Sequence, residues 1–369
     1  MDTIRFGVIG LNRGESFVKI CRAVGYSTVT ALYDIDLSRT EQLAATINAR
    51  AFDDFQAFLN ADIDAVVVAS PMPYHAAQSI AALNAGKHVL SEVTSCRTVA
   101  EAQALVRAAS QASPGHSMVY MLAENYRYLD EVELLKRLHD DRRFGELYFG
   151  EGEYLHDCKG LWHHADGSLT WRGQGLLSVY CTHSLGPLLY ITGERVTQVS
   201  ALAVPGGKFE PEVTFPTMHL LQMVTEGGLT LRVRVDHVSP RPHQMAYYAL
   251  QGTAGSYEAW RGLGDASKIW LADEDEPSLS RAPARWQALA DLAPRYIPER
   301  LQAPPAARSG GHGTSEYWLL RDFLRAVRGE APSPIDLYRG LDYTLPGLYA
   351  VDSAAAGGVP ITVPDPRSW

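Results

Sequence analysis

This chain has no long apolar run, no basic cluster and no paired cysteines. No stretch approaches the roughly 20 apolar residues that a bilayer crossing requires, so no membrane partner is expected. The 33 lysines and arginines are dispersed among 42 acidic residues, leaving a formal charge of −9. Without a basic run to collect phosphates, nucleic acid is not an expected partner either. The four cysteines (Cys21, Cys96, Cys158 and Cys181) are scattered and form no C-x-x-C pair, which points to a reducing compartment. Met-Asp-Thr-Ile-Arg-Phe-Gly enters a strand directly and lacks a signal-peptide pattern. A cytoplasmic chain is the expectation. Internal repeats, coiled-coil heptads and low-complexity tails are also missing.

What is there is an ordinary globular balance, 46% hydrophobic and 20% charged over 369 residues. That length has room for two domains, each with a core of its own. Ile4–Ile9 is a short apolar run ending in Gly7-Val-Ile-Gly10-Leu-Asn-Arg-Gly14, and an amphipathic stretch follows to about Val24. Strand, glycine turn and helix in that order open a dinucleotide-binding unit, in which the pyrophosphate rests on amides at the helix start. The usual G-x-G-x-x-G is altered here, because Asn12 takes the second glycine's place and the third is displaced to Gly14. The next strand, Val29–Tyr33, ends in Asp34. A carboxylate there can accept both ribose hydroxyls and repels a 2′-phosphate, which favours NAD over NADP. Arg39 reads as a solvated helix residue.

The alternation continues with a helix near 38–48, a buried strand at 65–69 and a helix opened by Ser70-Pro-Met-Pro-Tyr-His75. A strand at 88–91, a helix at 100–110 and a strand at 119–122 complete it. Such units build a doubly wound parallel sheet, an α/β Rossmann domain over residues 1–123. Its ligand crevice lies beyond the carboxyl ends of the strands. Gly10, Asn12, Arg13, Asp34, Ser70, His75 and Glu92 are the expected NAD-binding residues.

Farther on, Gly173–Gly186 places the Tyr180 phenol and the His183 imidazole three residues apart after a glycine-broken loop. In a helix that spacing puts both on one face, and both groups can move protons at hydroxyls or carbon acids. Packing residues at a helix start would show the same pattern.

The segment Asp62-Ile-Asp-Ala-Val-Val-Val-Ala-Ser-Pro, then Tyr74-His75, then Ala85-Gly-Lys-His-Val-Leu-Ser-Glu92 resembles the glucose–fructose oxidoreductase/inositol dehydrogenase family, written Gfo/Idh/MocA. The resemblance implies a second, α+β domain over residues 124–369 with an open, mainly antiparallel sheet carrying the substrate site and the oligomer contact. The C-terminal helix near 338–353 is expected to pack back towards the first domain, and a homodimer or homotetramer is expected. Two departures stand out. The family's E-K-P reads Glu92-Val93-Thr94, so its lysine is absent, and in G-G-G-x-L-x-D-x-x-x-H the aspartate is Val179 while His183 remains. A valine cannot accept a proton, so ordinary alcohol-dehydrogenase machinery cannot run unchanged.

Tyr180-Cys-Thr-His183-Ser-Leu-Gly-Pro187, with Met121–Arg127 and Phe144–Asp157 upstream, is similar to the branch of NAD-dependent α-N-acetylgalactosaminidases. That branch implies glycoside cleavage by transient oxidation, with a tightly held, recycled NAD. Hydride abstraction at C3, C2 deprotonation, elimination, water addition and re-reduction are the implied steps. Tyr180 and His183 are the expected proton movers, with Tyr154 and His156 next to them. The alternatives are a sugar or polyol dehydrogenase with net NADH release, and a non-enzymatic NAD-binding sensor.

Between them lies a polar, aromatic loop, His156-Asp-Cys-Lys159-Gly-Leu-Trp162-His163-His164 to Trp171-Arg172. Indoles that stack on sugar faces and cations that fix hydroxyls make Lys159, Trp162 and Arg172 substrate-binding candidates. The spacing of its histidines and Cys158 matches no zinc pattern, so no metal is expected. The Asp273–Arg308 stretch reads as a long excursion with little regular structure. Gly310-Gly-His312-Gly then opens a helix, which makes His312 and Tyr317 further substrate-binding candidates.

Overall fold

The apolar runs of the first third all become parallel strands. The structure, a computed structural model, describes residues 3–111, 118–175, 177–209, 213–272 and 285–369. The chain groups into two compact units. One comprises Met1–Tyr128, Pro304–Thr344 and Asp365–Trp369, the other Leu129–Ala303 and Leu345–Pro364.

In the first unit the strands are β1 (Ile4–Ile9), β2 (Ser27–Tyr33), β3 (Arg50–Phe52), β4 (Ala65–Val68), β5 (His88–Ser91) and β6 (Tyr120–Leu122). They pair in parallel in the order β3-β2-β1-β4-β5-β6. Strand β4, Ala-Val-Val-Val, is buried along its whole length, as a strand covered on both faces must be. Helices Leu11–Val24, Leu37–Ile47, Phe55–Leu59, His75–Asn84 and Val99–Gln111 alternate with the strands. The strand order reverses between β1 and β4. The chain leaves their carboxyl ends at Gly10 and Ser70, at the crevice where such sheets take ligands.

Residues 304–344 belong with this unit, although the sequence reading placed everything after residue 123 in the second domain. The reason is packing. Helix Ser315–Val327 buries Leu319, Leu320, Phe323 and Leu324 and packs on helix Leu11–Val24. The Phe323 ring stands 5.9 Å from that of Phe6 on β1. The last residues are held by Arg367, whose guanidinium meets the two oxygens of buried Asp342 at 2.9 and 3.1 Å.

The second unit is built on a sheet of β7 (Leu147–Leu155), β8 (Val196–Pro205), β9 (Pro216–Thr225), β10 (Thr230–Asp236), β11 (Gln244–Gly252), β12 (Gly255–Glu258), β13 (Lys268–Leu271), β14 (Gln287–Ala288) and β15 (Ile361–Thr362). Their order is β14-β13-β12-β11-β7-β10-β9-β8-β15. Only β7 and β10 run parallel; the other pairings among the described residues are antiparallel. Buried Leu231, Val233 and Val235 alternate with more exposed neighbours along β10, the pattern of a strand with one face on a core.

Helix Thr182–Thr192 lies on β7, and the sequence Gly150-Glu-Gly152-Glu explains how it comes so close. Alternation turns both glycines to the helix. A Cβ on Gly152 would stand 2.5 Å from the Ser184 carbonyl oxygen, and one on Gly150 2.9 Å from Leu231 and 3.7 Å from Leu188. On the other face Glu151 and Glu153 pair with Arg232 and Arg261 at 3.0 and 2.6 Å.

The expected excursion over 273–308 is partly corrected. Residues 273–284 lie outside the described residues, but β14, helices Ala293–Tyr296 and Pro298–Leu301 and two short 3-10 turns occupy much of the rest. Buried Arg300 anchors them through Asp130 at 3.2 Å and Glu133 at 3.7 Å. Among the described residues no helix is long and apolar enough to cross a membrane.

Candidate functional site

The first unit presents a nucleotide cradle at the carboxyl ends of β1, β2, β4 and β5. Gly10 has φ +81°, and a Cβ there would meet Ser70 N at 2.3 Å and Ser70 Cα at 2.4 Å. Only glycine fits both the left-handed backbone and the contact between the two loops. The Leu11 amide, first of the helix, donates to Asp34 Oδ2 at 2.6 Å, and the Asp36 amide donates to Oδ1 at 3.0 Å. Asp34 thus stays fixed beside the helix start, where the following amides have no intrahelical partner. A helix start with a fixed acidic residue beside it, over a turn that excludes side chains, fits an adenine dinucleotide.

Arg39 corrects its expected role. It is half-buried, and its guanidinium reaches Asn12 Oδ1 at 2.9 Å, the Leu11 carbonyl at 3.3 Å and Glu15 at 3.4 Å. His75 also differs from expectation. It is buried, with Nε2 2.7 Å from the Ser70 carbonyl and Nδ1 3.0 Å from the Thr94 carbonyl. It therefore ties the loop after β4 to the loop after β5 and positions the cradle without facing a ligand. Burial holds its proton affinity below that of an ordinary imidazole. The Ser70 hydroxyl bonds Gln78 at 2.5 Å.

Arg13 and Glu92 meet in a charge cluster that also includes residues from the far end of the chain. The Arg13 guanidinium donates to Glu92 Oε1 at 2.7 Å and to Glu316 Oε1 at 3.1 Å. His312 Nδ1 lies 2.5 Å from the same Glu316 oxygen. Burial opposes ionisation of Glu316, but the His312 hydrogen bond and the charges of His312 and Arg13 outweigh it and lower its pKa to about 2. His312 is exposed, and its ring stands 6.1 Å from that of Tyr126. Tyr317 is half-buried against Trp318 at 5.2 Å.

In the second unit the four expected proton-moving residues come together. Tyr180 lies in a 3-10 turn, Leu177–Cys181, and His183 in the first turn of helix Thr182–Thr192. Their rings are 5.1 Å apart. Tyr154 and His156, at the end of β7, reach the same place. The Tyr154 ring stacks on His183 at 5.5 Å, meets Tyr180 edge-on at 5.5 Å, and its hydroxyl is 3.1 Å from His156 Nδ1. The Tyr248 hydroxyl donates to the His183 carbonyl at 2.6 Å and fixes the start of the helix. Val179, where the family pattern has aspartate, is fully buried.

Three histidines complete this cluster that sequence reasoning missed. His237 follows β10, and its ring lies 5.6 Å from Tyr154 and 5.8 Å from Tyr180. His219 is the buried partner of Val235 across β9 and β10. His243 precedes β11 and meets His156 at 4.4 Å. A signal existed for the first two. His219 takes an inward position on β9 and His237 continues the inward alternation just past β10, where the other inward residues are mostly apolar, Leu221 and Met223 on β9, Val233 and Val235 on β10. Burial lowers the His237 pKa to about 3, helped by His156 and Arg172, and that of His219 to about 4. Neither His237 Nε2 nor His219 Nδ1 has a hydrogen-bond partner among the described residues. His156 is also pushed down, by burial first and then by His243 and Arg172.

These buried neutral imidazoles set a pH dependence. An unfolded histidine takes up its proton near pH 6.5, whereas folded His237 does so near 3. Between those values the unfolded state binds more protons, so stability is full above about 6.5 and falls as pH drops towards 3. Each such histidine adds a slope of about 1.4 kcal/mol per pH unit within its window. Urea unfolding of a His237→Gln protein at pH 4.5 and 7.5 should show a smaller difference than wild type. An equal difference would place the proton uptake elsewhere.

The substrate-loop candidates divide. The Arg172 guanidinium lies over the Trp171 ring at 4.1 Å, and half-buried Lys159 pairs with Asp157 at 3.0 Å. Trp162 corrects its expected role: it is fully buried, packed edge-on to Phe215 at 5.4 Å and clustered with Val213 and Val238. It plugs the base of the loop and offers no free face to a sugar. Among the described residues no group of three or more His, Cys, Asp or Glu side chains is placed to hold a metal ion.

The strand order 3-2-1-4-5-6 with a glycine-led phosphate turn defines the dinucleotide-binding class of Rossmann units. Residues 4–118 match the family model of the oxidoreductase family, NAD-binding Rossmann fold, and residues 215–368 that of the glycosyl hydrolase 109 C-terminal domain. The chain is 27% identical to a glycosyl hydrolase family 109 protein of Saccharopolyspora erythraea, over 99% of this chain and 83% of that one. It is 26% identical to an alpha-N-acetylgalactosaminidase of Tannerella forsythia, over 98% and 86%. Among solved structures, an oxidoreductase domain protein from Kribbella flavida superposes with TM-score 0.80 at 22% identity, and levoglucosan dehydrogenase in complex with NADH and levoglucosan with 0.80 at 21%, each over 99% of this chain and 100% of the other. The N-terminal part of the chain is thus similar to the Gfo/Idh/MocA oxidoreductases and its C-terminal part to the glycosyl hydrolase 109 type, and the chain is an enzyme.

Proposed function

We propose that this enzyme cleaves glycosides by transient oxidation, with NAD held tightly and recycled. The observation that carries the reading is the single cluster of Tyr154, His156, Tyr180 and His183 in a family member whose lysine and aspartate positions are Val93 and Val179. The similarity of the C-terminal half to glycosyl hydrolase 109 proteins supports it.

Gly10, the amides of Asn12 and Arg13, Asp34 and the Ser70 loop would hold NAD, and bound NAD⁺ supplies a hydride acceptor for ring carbon C3 that is restored at the end of the cycle. Tyr180 and His183 move the protons: one from the C3 hydroxyl as the ketone forms, one from C2, which that ketone acidifies. The electron pair left at C2 forms the C1–C2 double bond and expels the glycosidic oxygen, which takes up a proton. Water then adds at C1, a proton returns to C2, and reduction of C3 closes a net hydrolysis. Tyr154 and His156 act with the first pair, and Lys159 and Arg172 offer donors for sugar hydroxyls. Burial favours the neutral form of His156, the state that can accept a proton.

Proton NMR with NAD⁺ and a panel of glycosides in D₂O tests this. Cleavage with deuterium entering C2 and no accumulation of NADH is the expected result. Stoichiometric NADH with the glycosidic bond intact would overturn it and leave a sugar dehydrogenase, in line with the levoglucosan dehydrogenase on which the chain superposes.

A further inference from the structure

We propose that Tyr154, His156 and His243 form a proton relay between the buried phenol–imidazole cluster and solvent, with His243 as its outer residue. The inference rests on the reading above, and deepens it by saying where the proton of the oxidised hydroxyl goes.

Exposure rises in order along the series: Tyr154 is 6% exposed, His156 is half-buried and His243 is exposed. The first link is the contact of 3.1 Å between the Tyr154 hydroxyl and His156 Nδ1. The second is the edge-on approach of the His156 and His243 rings at 4.4 Å, close enough for a bridging water to join them. Strand register makes this second link. Gln244 pairs with Leu155 across antiparallel β11 and β7, so the preceding His243 falls opposite the following His156. At the inner end Tyr154 touches both Tyr180 and His183.

The chemistry needs such a path. When a C–H bond gives its electron pair to the nicotinamide as hydride, the O–H bond of the same carbinol gives up a proton while C=O forms. A neutral Tyr180 phenol can take up such a proton only by passing its own on, while His183 takes the other. A neutral imidazole can take it at one ring nitrogen and release another from the second. His156 suits this task, since burial, His243 and Arg172 all favour its neutral form, against Asp157, which favours the charged one. His237, a further imidazole beside Tyr154, is buried, whereas His156 and His243 are progressively more exposed. His243 acts through His156 and is a positioning residue, not a catalytic one.

The test is stopped-flow with a pH-indicator dye in weak buffer, mixing NAD-loaded enzyme with methyl α-N-acetylgalactosaminide. In wild type, protons should reach solvent in step with the transient NADH absorbance. A His243→Ala protein, altered only at an exposed site, should release them roughly tenfold or more slowly, with kcat lowered and KM unchanged. Millimolar imidazole should restore the rate in His243→Ala but not in His156→Gln, where the inner link is lost. Without substrate, the His156 NMR titration should move to higher pH in His243→Ala. Wild-type kcat in weak buffer with no response to imidazole, or an unmoved His156 titration, would overturn the relay. NADH accumulation with intact glycoside would overturn the glycosidase reading alone, because alcohol oxidation releases the same proton and the dye still reports its path.

Discussion

A Gly10→Ala protein should bind NAD⁺ at least a hundredfold more weakly than wild type while keeping its second unit folded. Two costs combine at this position. A left-handed backbone, φ +81°, costs an alanine about 1–2 kcal/mol. The new Cβ would also stand 2.3 Å from Ser70 N, and such an overlap costs about 1–3 kcal/mol before anything moves. The strain is relieved by pushing the β1 and β4 loops apart, which moves the helix-start amides away from the pyrophosphate. At about 1.4 kcal/mol per tenfold, a hundredfold loss lies within these terms. Gly86→Ala is the control. It carries the same backbone strain, φ +71°, with open space around its Cβ, and it lies at the amino end of β5, the opposite end of the sheet from the crevice. Calorimetric titration should find NAD⁺ affinity unchanged there. Wild-type affinity in Gly10→Ala would remove the cradle from its proposed place.

The second large effect concerns Tyr180 and His183. Tyr180→Phe keeps the ring and its packing on His183 and Tyr154 but loses the only proton it can move. His183→Gln keeps a polar side chain on a helix start that the Tyr248 hydrogen bond to the main-chain carbonyl continues to hold. Each should lower kcat by about 10²–10⁴ with little change in melting temperature. The double variant should fall well short of the product of the two, because groups that act as a unit are not additive. Exchange of the C2 hydrogen with D₂O should fail in parallel with turnover. Exchange at the wild-type rate in both single variants would assign the C2 proton to Tyr154 or His156.

The parallel sheet was legible because doubly buried strands must be apolar throughout, and Ala65–Val68 could read no other way. Its crevice followed from the glycine turn and from Asp34. Strand Arg50–Phe52 and helix Phe55–Leu59 were not legible, since three and five residues carry no period. In the second unit the four residues expected to move protons lie together: Tyr180 and His183 share a turn, and Tyr154 and His156 share a strand end. What joined the two pairs was the seating of a helix on β7, which no local pattern states. His243 was hidden for the same reason: strand register places it. Glu316 lies 303 positions from its partner Arg13, and only the packing of two helices brings them together. Trp162 was misread because the composition of a polar loop does not say which of its indoles turns inward.

The glycines at 150 and 152 bear on how this enzyme can change. With the Ser184 carbonyl lying where a Cβ on Gly152 would go, β7 cannot acquire a side chain there without lifting the helix start that carries His183. Variation among descendants of this chain is thereby channelled away from the floor beneath the imidazoles. The loop from His156 to Arg172, anchored at its base by one buried indole, is free to lengthen or to trade its exposed residues. On the proposed function, new substrates would be acquired by rewriting that loop while the cluster of Tyr154, His156, Tyr180 and His183 is inherited intact.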